Sequence, residues 1–335
     1  SDGTTWNVPT PVVRVTPTGD DSDGSTWAKA KKTVTGGITQ AAATGGEVWV
    51  AQGMYPERVE PRAFVRLYGG FAGSETNRNQ RNPAALATIL DGGGTAPVVY
   101  FRNAGYRVSA LDGFIVQGGG IFTGGDVFHP DLSRRTNNLL GGGIYCRVSG
   151  PMIANSVIRS NSLGSPFNSF KVLGGGLYAY LSHAEITGNT FAHNEVLNTF
   201  DGSGGGLYSL RSLARIERNV FRDNRAENGA ALYASLSSLH IVRNLIENNS
   251  MYNTYPLPVY LGSDSGAITL SFAPDFVIEA NTITGNVAAF GGGLNLASCW
   301  GGRIVNNLIL GNRSYDPTAG GAGWGGGAYC MINQN

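Results

Sequence analysis

Along the last two-thirds of the chain one unit keeps returning: a glycine cluster with an apolar-Tyr pair, then Ile-x-x-Asn-x-apolar-x-x-Asn. It opens at Gly141 to Tyr145 and again at Gly174, Gly204, Gly229, Gly266, Gly291 and Gly325. Its second half reads Ile153/Ser156/Ile158/Asn161 in the first copy and Ile186/Asn189/Phe191/Asn194 in the next. Further copies stand at Ile216/Asn219/Phe221/Asn224, Ile241/Asn244/Ile246/Asn249, Ile278/Asn281/Ile283/Asn286 and Ile304/Asn307/Ile309/Asn312. Self-similarity at spacings of roughly 25 to 36 residues marks a repeat architecture, in which each unit buries its apolar face only against its neighbours. The apolar runs are too short for helices and suit strands of about three to five residues with sharp bends between them. The repeat therefore predicts an all-β chain wound as a parallel β-helix, with regular coils from about residue 141.

Stacked coils turn the recurring apolar residues into columns that fill a tubular core, each Ile, Leu or Phe contributing about 1.5–3 kcal/mol. Asn is expected at the bends, because it tolerates left-handed backbone angles and its amide can bond the same amide one coil away. The glycines allow tight turns and close coil-to-coil approach, which is a simpler role for them than cradling a phosphate. Tyr145, Tyr178, Tyr208, Tyr233 and Tyr329, interrupted by Thr269 and Asn295, neighbour inward positions and are expected to point outward. Cys146 and Cys330 share a column with Ala179, Ser209, Ala234, Leu270 and Leu296 and read as small buried hydrophobes. Cys299, in Ser-Cys-Trp-Gly, reads as a loop residue and the most reactive of the three cysteines.

Few charges and a net charge of +1 leave no basic stripe for nucleic acid, and no apolar run is long enough to span a bilayer. Residues 12–335 read as one solenoid domain, preceded over residues 1–11 by an extended arm that carries Trp6, Pro9 and Pro11. Between Thr26 and Thr44 the spacing becomes helical: Trp27, Ala28, Ala30, Val34, Ile38, Ala41 and Ala42 predict a short amphipathic helix, interrupted at Gly36-Gly37, that caps the open end of the tube.

Four segments carry a more specific likeness. Asp20-Asp21-Ser22-Asp23-Gly24-Ser25-Thr26-Trp27-Ala28, Gly46-Glu47-Val48-Trp49-Val50-Ala51-Gln52-Gly53-Met54-Tyr55, Leu67-Tyr68-Gly69-Gly70-Phe71 and Ile89-Leu90-Asp91-Gly92 resemble the start of secreted bacterial right-handed parallel β-helix repeat proteins, pectate-lyase-like in fold. From about Val12 onward the resemblance implies a right-handed coil and a place outside the cell or on its surface. The superfamily holds lyases, hydrolases, tailspikes and adhesins, so the fold does not choose a function.

A polygalacturonase-like site would need paired aspartates with Gly-His-Gly and Arg-Ile-Lys, and none of these occurs; Arg215-Ile216-Glu217 departs from the last at its basic residue. A lyase-like site would need an Arg or Lys base beside calcium-binding carboxylates. The candidates are Arg218, Arg222, Asp223 and Arg243, in a charged cluster with Glu217 and Glu247 that also reads as a solvated ion-pair ladder; Arg222 should stack near Glu247, and Arg218 near Arg243. Asp20, Asp21 and Asp23 could hold Ca²⁺, or make only a polar turn. His129, His183, His193 and His240 are scattered and read as surface residues.

The long insertions all fall between the last Asn of one copy and the glycines of the next, which predicts that they emerge on one side of the solenoid. They carry Phe122, Phe128, Phe167, Phe170, Phe200, Tyr252, Tyr255, Tyr260, Tyr315 and Trp324, suited to sugar stacking, to a protein interface, or to folding back onto the coils. The sequence stops just after a glycine opening, and an unfinished coil exposes strand edges. The expectation is a non-catalytic extracellular structural protein with no cofactor, whose copies join head to tail through Trp6 and Ile332 into a fibre or surface layer. The alternative is a protein that binds or cleaves acidic polysaccharide, or an adhesin.

Overall fold

Short alternating segments can share one interior only if equivalent residues stack in register. The computed structural model of the chain has that stacking. It describes residues 10–120, 139–164, 171–197, 202–251, 265–315 and 323–331. Every strand pairing among them is parallel, from Val12–Val15 on Gly46–Ala51 to Leu294–Ala297 on Ala328–Met331. The largest sheet has 16 strands in two rows, joined by the long strands Val99–Asp112 and Ile144–Ala154. A tyrosine row stacks Leu177–Tyr180, Leu207–Leu210, Leu232–Ser235, Ile268–Ser271, Leu294–Ala297 and Ala328–Met331. An arginine row stacks Glu185–Thr187, Leu213–Glu217, Ser238–Val242, Val277–Glu279 and Arg303–Val305. A nine-stranded second sheet and a six-stranded third sheet complete each turn, and the fold is a right-handed parallel β-helix.

Between these walls the inward columns meet in register. Ile153, Ile186, Ile216, Ile241 and Ile278 form one, and Phe191 stacks on Phe221 at 4.7 Å in another. Two ladders of side-chain amides run beside them. Asn161, Asn194, Asn224, Asn249, Asn286 and Asn312 bond one to the next at 2.9–3.0 Å, as do Asn189, Asn219, Asn244, Asn281 and Asn307 at 2.9–3.1 Å. The glycines allow the approach expected of them: a Cβ on Gly176 would stand 2.5 Å from the Gly206 carbonyl oxygen one coil away.

The bends themselves correct one expectation. The left-handed residue is not the ladder Asn but the residue before it: Asn155, Gly188, Arg218, Arg243, Ala280 and Asn306 at one corner, and Ser160, His193, Asp223, Asn248, Gly285 and Gly311 at the next. The Asn is turned inward with its amide in the ladder, so the strain falls on whichever residue precedes it. A third corner, between the tyrosine and arginine rows, bends at Val148, Leu181, Arg211, Leu236, Phe272 and Ser298. There Ser182, Ser212 and Ser237 stack behind the bend, Ser182 and Ser212 donating their amides to the next hydroxyl at 3.0 and 3.1 Å. Cys299 follows Ser298 in that stack and its Sγ donates to the Leu270 carbonyl, so it is a corner residue and not a loop thiol.

At the N-terminal end the helical spacing resolves into a single turn at Trp27–Lys29 and an α-helix, α1, at Val34–Ala42. Lys31 breaks the two apart by bridging to Val15. Gly36-Gly37 does not interrupt α1; a Cβ on Gly37 would press on Val15 and Val48 at 2.6 and 2.8 Å, so glycine lets the helix lie close on the first coils. Val34, Ile38 and Ala41 are buried against that end of the core. The first turn is capped by Glu57, whose carboxylate accepts from Val34 N, Thr35 N and Thr35 Oγ1 at 2.6–2.9 Å.

Two further expectations change. The tyrosine column does leave the tube, but Tyr145, Tyr178, Tyr208 and Tyr233 are buried, ring on ring at 5.1–5.4 Å, in a second apolar cluster with Leu140, Leu173 and Leu210. Burial pushes the Tyr178 hydroxyl far above its ordinary range. Cys146 is buried as expected, whereas Cys330 is exposed, since no described coil covers the strand Ala328–Met331.

Candidate functional site

Alternation along Leu213–Glu217 places Ile216 in the core and turns Arg215 and Glu217 to the outer face of the arginine row. The next residue, Arg218, is left-handed at the corner (φ 54°), and one coil further Arg243 holds the same angle at the same place. Parallel stacking then sets three guanidinium groups around one carboxylate. Arg215 approaches Glu217 Oε2 through Nε at 2.7 Å and through its terminal nitrogen at 2.6 Å, while Arg218 and Arg243 each stand 3.4 Å from Oε1.

Glu217 is only 8% exposed, although the arginines around it are open to solvent. The hydrogen bond from Arg215, with the nearby charges of Arg215, Arg218 and Arg243, holds its carboxyl below the usual range. Three cations and one anion leave this group of four at +2. Glu185, in register beside Arg215, brings one further carboxylate to the edge of the cluster. The arrangement is a carboxylate post that spreads two exposed arginines at the inter-coil spacing of about 4.8 Å, which suits an anion presenting more than one oxygen. Locked between arginines, Glu217 stays ionised and positions its neighbours, with no proton to exchange at neutral pH.

Arg222 and Asp223 do not join this cluster. They lie at the far end of the strand Val220–Arg222, where Arg222 stands in register with Glu247 and Asp223 Oδ2 is 4.0 Å from His193 Nε2. That part is the exposed ladder the charge pattern suggested. The buried Glu217 is not part of it; the sequence placed Glu217 in the charged cluster as one of its members and left Arg215 out of it. Their signal was the Arg-x-Glu alternation on a strand, which directs both side chains outward together.

Asp20 and Asp23 of the N-terminal loop serve their own turns, and Asp21 ties the loop to Lys32. Asp20 accepts from Ser22 N at 3.0 Å, Asp23 from Ser25 N and Oγ at 2.9 and 2.6 Å, and Asp21 from Lys32 N at 2.8 Å. These bonds hold the Asp20 and Asp23 carboxyls below their ordinary range. Among the described residues no three His, Cys, Asp or Glu side chains converge as a metal would need.

The insertions leave from equivalent places, after strands of the third sheet at Ser162–Gly164, Glu195–Leu197, Ser250–Met251 and Arg313–Ser314. Of their aromatic residues Tyr315 and Trp324 are described, both exposed, Trp324 edge-on to Tyr329. Phe122, Phe128, Phe167, Phe170, Phe200, Tyr252, Tyr255 and Tyr260 lie outside the described residues, as do His129, Trp6 and Ile332. His183, His193 and His240 are on the surface. No helix among the described residues is long and apolar enough to cross a membrane.

Comparison with known proteins agrees with the coil. The sequence model of the right-handed beta helix region matches residues 101–264. Among curated proteins none matches the chain by sequence. Among solved structures the chain is similar to the A-module of the mannuronan C-5 epimerase AlgE4 of Azotobacter vinelandii, at 12% identity over 90% of this chain and 92% of that one, with a TM-score of 0.25. It is also similar to PfbA, a surface adhesin of Streptococcus pneumoniae, at 11% identity over 89% of each chain and a TM-score of 0.21. The A-module of AlgE6 from A. vinelandii gives 14% identity over 90% and 95%, with a TM-score of 0.19. At such scores these likenesses carry no argument about function, which rests on the site.

Proposed function

We propose that this right-handed parallel β-helix is an extracellular or cell-surface protein that binds acidic polysaccharide along the outer face of the arginine row. The observation that carries the reading is the convergence of Arg215, Arg218 and Arg243 on the buried carboxylate of Glu217. A repeating acid such as a polyuronate presents carboxylates to the exposed ends of Arg218 and Arg243, and charge-assisted contacts of this kind are roughly twice as strong as neutral ones. The role proposed is binding, because Glu217, the carboxylate at the centre of the cluster, is committed to holding its arginines.

Titration calorimetry against polygalacturonate and against neutral dextran tests the reading. Binding to the acid and not to dextran is expected, with a loss of about a hundredfold or more in the Arg218→Ala/Arg243→Ala variant, since each of the two contacts to a charged group is worth about 1.5–3 kcal/mol. Equal affinity for both polymers, or no change in the variant, removes the proposal. Glu217→Gln is informative in a different way. It raises the net positive charge yet should weaken binding, because the arginines lose their post; tighter binding would mean that bare charge alone is at work.

A second reading, head-to-tail assembly of copies of the chain, has one observation in its favour. On the outermost described coil the inward-column residues Ile304, Ala328 and Cys330 are exposed, an apolar face that a further coil would cover, whether of a longer chain or of another molecule. Electron microscopy across a dilution series checks it: rods joined end to end that part on dilution are expected, and single rods at every concentration remove it.

A further inference from the structure

The charge of the solenoid is banded across its axis. Coil 207–228 carries five arginines, Arg211, Arg215, Arg218, Arg222 and Arg225, against the carboxylates Glu217, Asp223 and Glu227. The coil before it, 177–197, has Glu185 and Glu195 and no Lys or Arg, and the coil two further on, 268–288, has Asp275 and Glu279 and again no Lys or Arg. Between them coil 232–251 sets Arg243 against Glu247. An acidic polymer lying along the axis through Arg218 and Arg243 therefore leaves the arginines one coil on in either direction. The corner residues it would meet next are Gly188 and Asn155 on one side and Ala280 and Asn306 on the other, none of them a cation. On the outer face it would also pass Glu185, in register with Arg215, and Glu279, which follows Glu217 and Val242 in one register column. Carboxylates at these places oppose a polyanion.

Across the axis the same polymer meets cations at successive places. Arg211 is exposed at the bend before the strand Leu213–Glu217, Arg215 stands midway on the outer face of that strand, and Arg218 is exposed at the bend that ends it. From Arg211 to Arg218 the backbone covers at most about 23 Å, at about 3.3 Å per residue. Arg243 widens the far end of this path by one coil. Arg215 gives two of its nitrogens to Glu217, and a guanidinium has further N–H groups to offer. Beyond Arg218 the path closes, since Arg222 is in register with Glu247 and Arg225 is 3.7 Å from Glu195. Resting on the reading of this face as a glycan site, we infer that the acidic chain crosses the tube, lying along coil 207–228 from Arg211 to Arg218 and not along the solenoid axis. The contact this adds is Arg211, which stands outside the cluster around Glu217.

Titration calorimetry with an oligogalacturonate no longer than this path separates the two directions. Arg211→Asn, which suits a left-handed bend, should bind at least about tenfold more weakly with an unchanged circular dichroism spectrum. Asn306→Arg adds a cation to the axial route, at an exposed left-handed bend of the kind that Arg218 and Arg243 already make. It stands two coils, about 9.6 Å, from Arg243, beyond the screening length of about 8 Å at 0.15 M salt. A chain that crosses should bind this variant within about twofold of the parent, whereas an axial chain would bind it about tenfold more tightly. The inference is overturned, with the glycan reading intact, if binding depends on Arg218 and Arg243 but Arg211→Asn binds as well as the parent, or if Asn306→Arg tightens binding. It is also overturned if the parent binds the polymer but not this oligomer. If the parent binds neither, or if Arg218→Ala/Arg243→Ala binds unchanged, the glycan reading itself fails and the inference falls with it.

Discussion

Asn224 is a useful residue to weigh, because four hydrogen bonds run through its side chain. Its Oδ1 accepts from the main chain and the side chain of Asn194 at 3.1 and 3.0 Å, and its Nδ2 donates to Phe191 O and to Asn249 Oδ1 at 2.9 Å each. Asn224→Ala leaves the main-chain N–H and one side-chain N–H of the buried Asn194 without their acceptor, at a cost of about 1–3 kcal/mol for each group stranded. Urea titration is expected to give a loss of about 2–5 kcal/mol, and a loss below about 1 kcal/mol would mean that water enters the ladder and replaces the amide. Glu217 yields a prediction in pH. Its carboxyl is held below the unfolded value, so it binds a proton less readily when folded, and its contribution to stability is fully present above about pH 4.3 and is lost as pH falls through the lower folded value. The stability difference between the parent and Glu217→Gln should therefore shrink below about pH 4 and stay flat above about pH 5.

At the scale of elements, the corner is the unit that the repeat encodes and the one whose chemistry was half legible. Ile-x-x-Asn spacing shows where a strand ends, since the Asn ladder and the inward column keep strict register. It does not show that the bend is taken by the residue before the Asn, because that position accepts Arg218, Ala280 and Gly188 alike. A left-handed L-residue costs roughly 1–2 kcal/mol, less for Asn, so Leu236→Asn should raise stability by up to about 1 kcal/mol. Thermal unfolding would read this as a higher midpoint, and a lower one would mean that Leu236 packs on its neighbours enough to offset the strain. The N-terminal cap was legible as an amphipathic stretch but not in its anchoring. Glu57 reaches α1 from more than twenty residues away, a contact that no local pattern records. Glu57→Ala should lower stability by about 1–2 kcal/mol, in the range of a lost helix cap, and a neutral result would transfer the capping to Thr33, whose Oγ1 accepts from Gly36 N at 3.0 Å.

For the whole molecule, the strand stack was readable because period and apolar spacing determine a solenoid almost by themselves. The site was readable in part: the repeat set Arg218 near Arg243 with Glu217 in the same charged cluster, but it did not show Arg215 among them or Glu217 buried at their centre, because a sequence does not report how far a side chain is covered. The buried tyrosines make the same point: alternation gives the side of a strand and does not report what lies over it. One physical consequence of the stack reaches every coil. Among the described residues each coil bonds only to the coil before and the coil after, so stability is close to a sum of neighbour terms, and the outermost described coils pair on one side where inner ones pair on both. Amide hydrogen exchange should therefore grade along the axis. Strands at Leu213–Glu217 and Ser238–Val242, coiled between partners on both sides, are expected to exchange most slowly, and Arg303–Val305 and Ala328–Met331, with a partner on one side, most quickly. Asn224→Ala sharpens the test, since a weakened middle coil should speed exchange in its two neighbours before it reaches the ends. If instead all strands exchange at one rate in both proteins, the solenoid opens as a single cooperative unit and the neighbour-by-neighbour account of its stability is wrong.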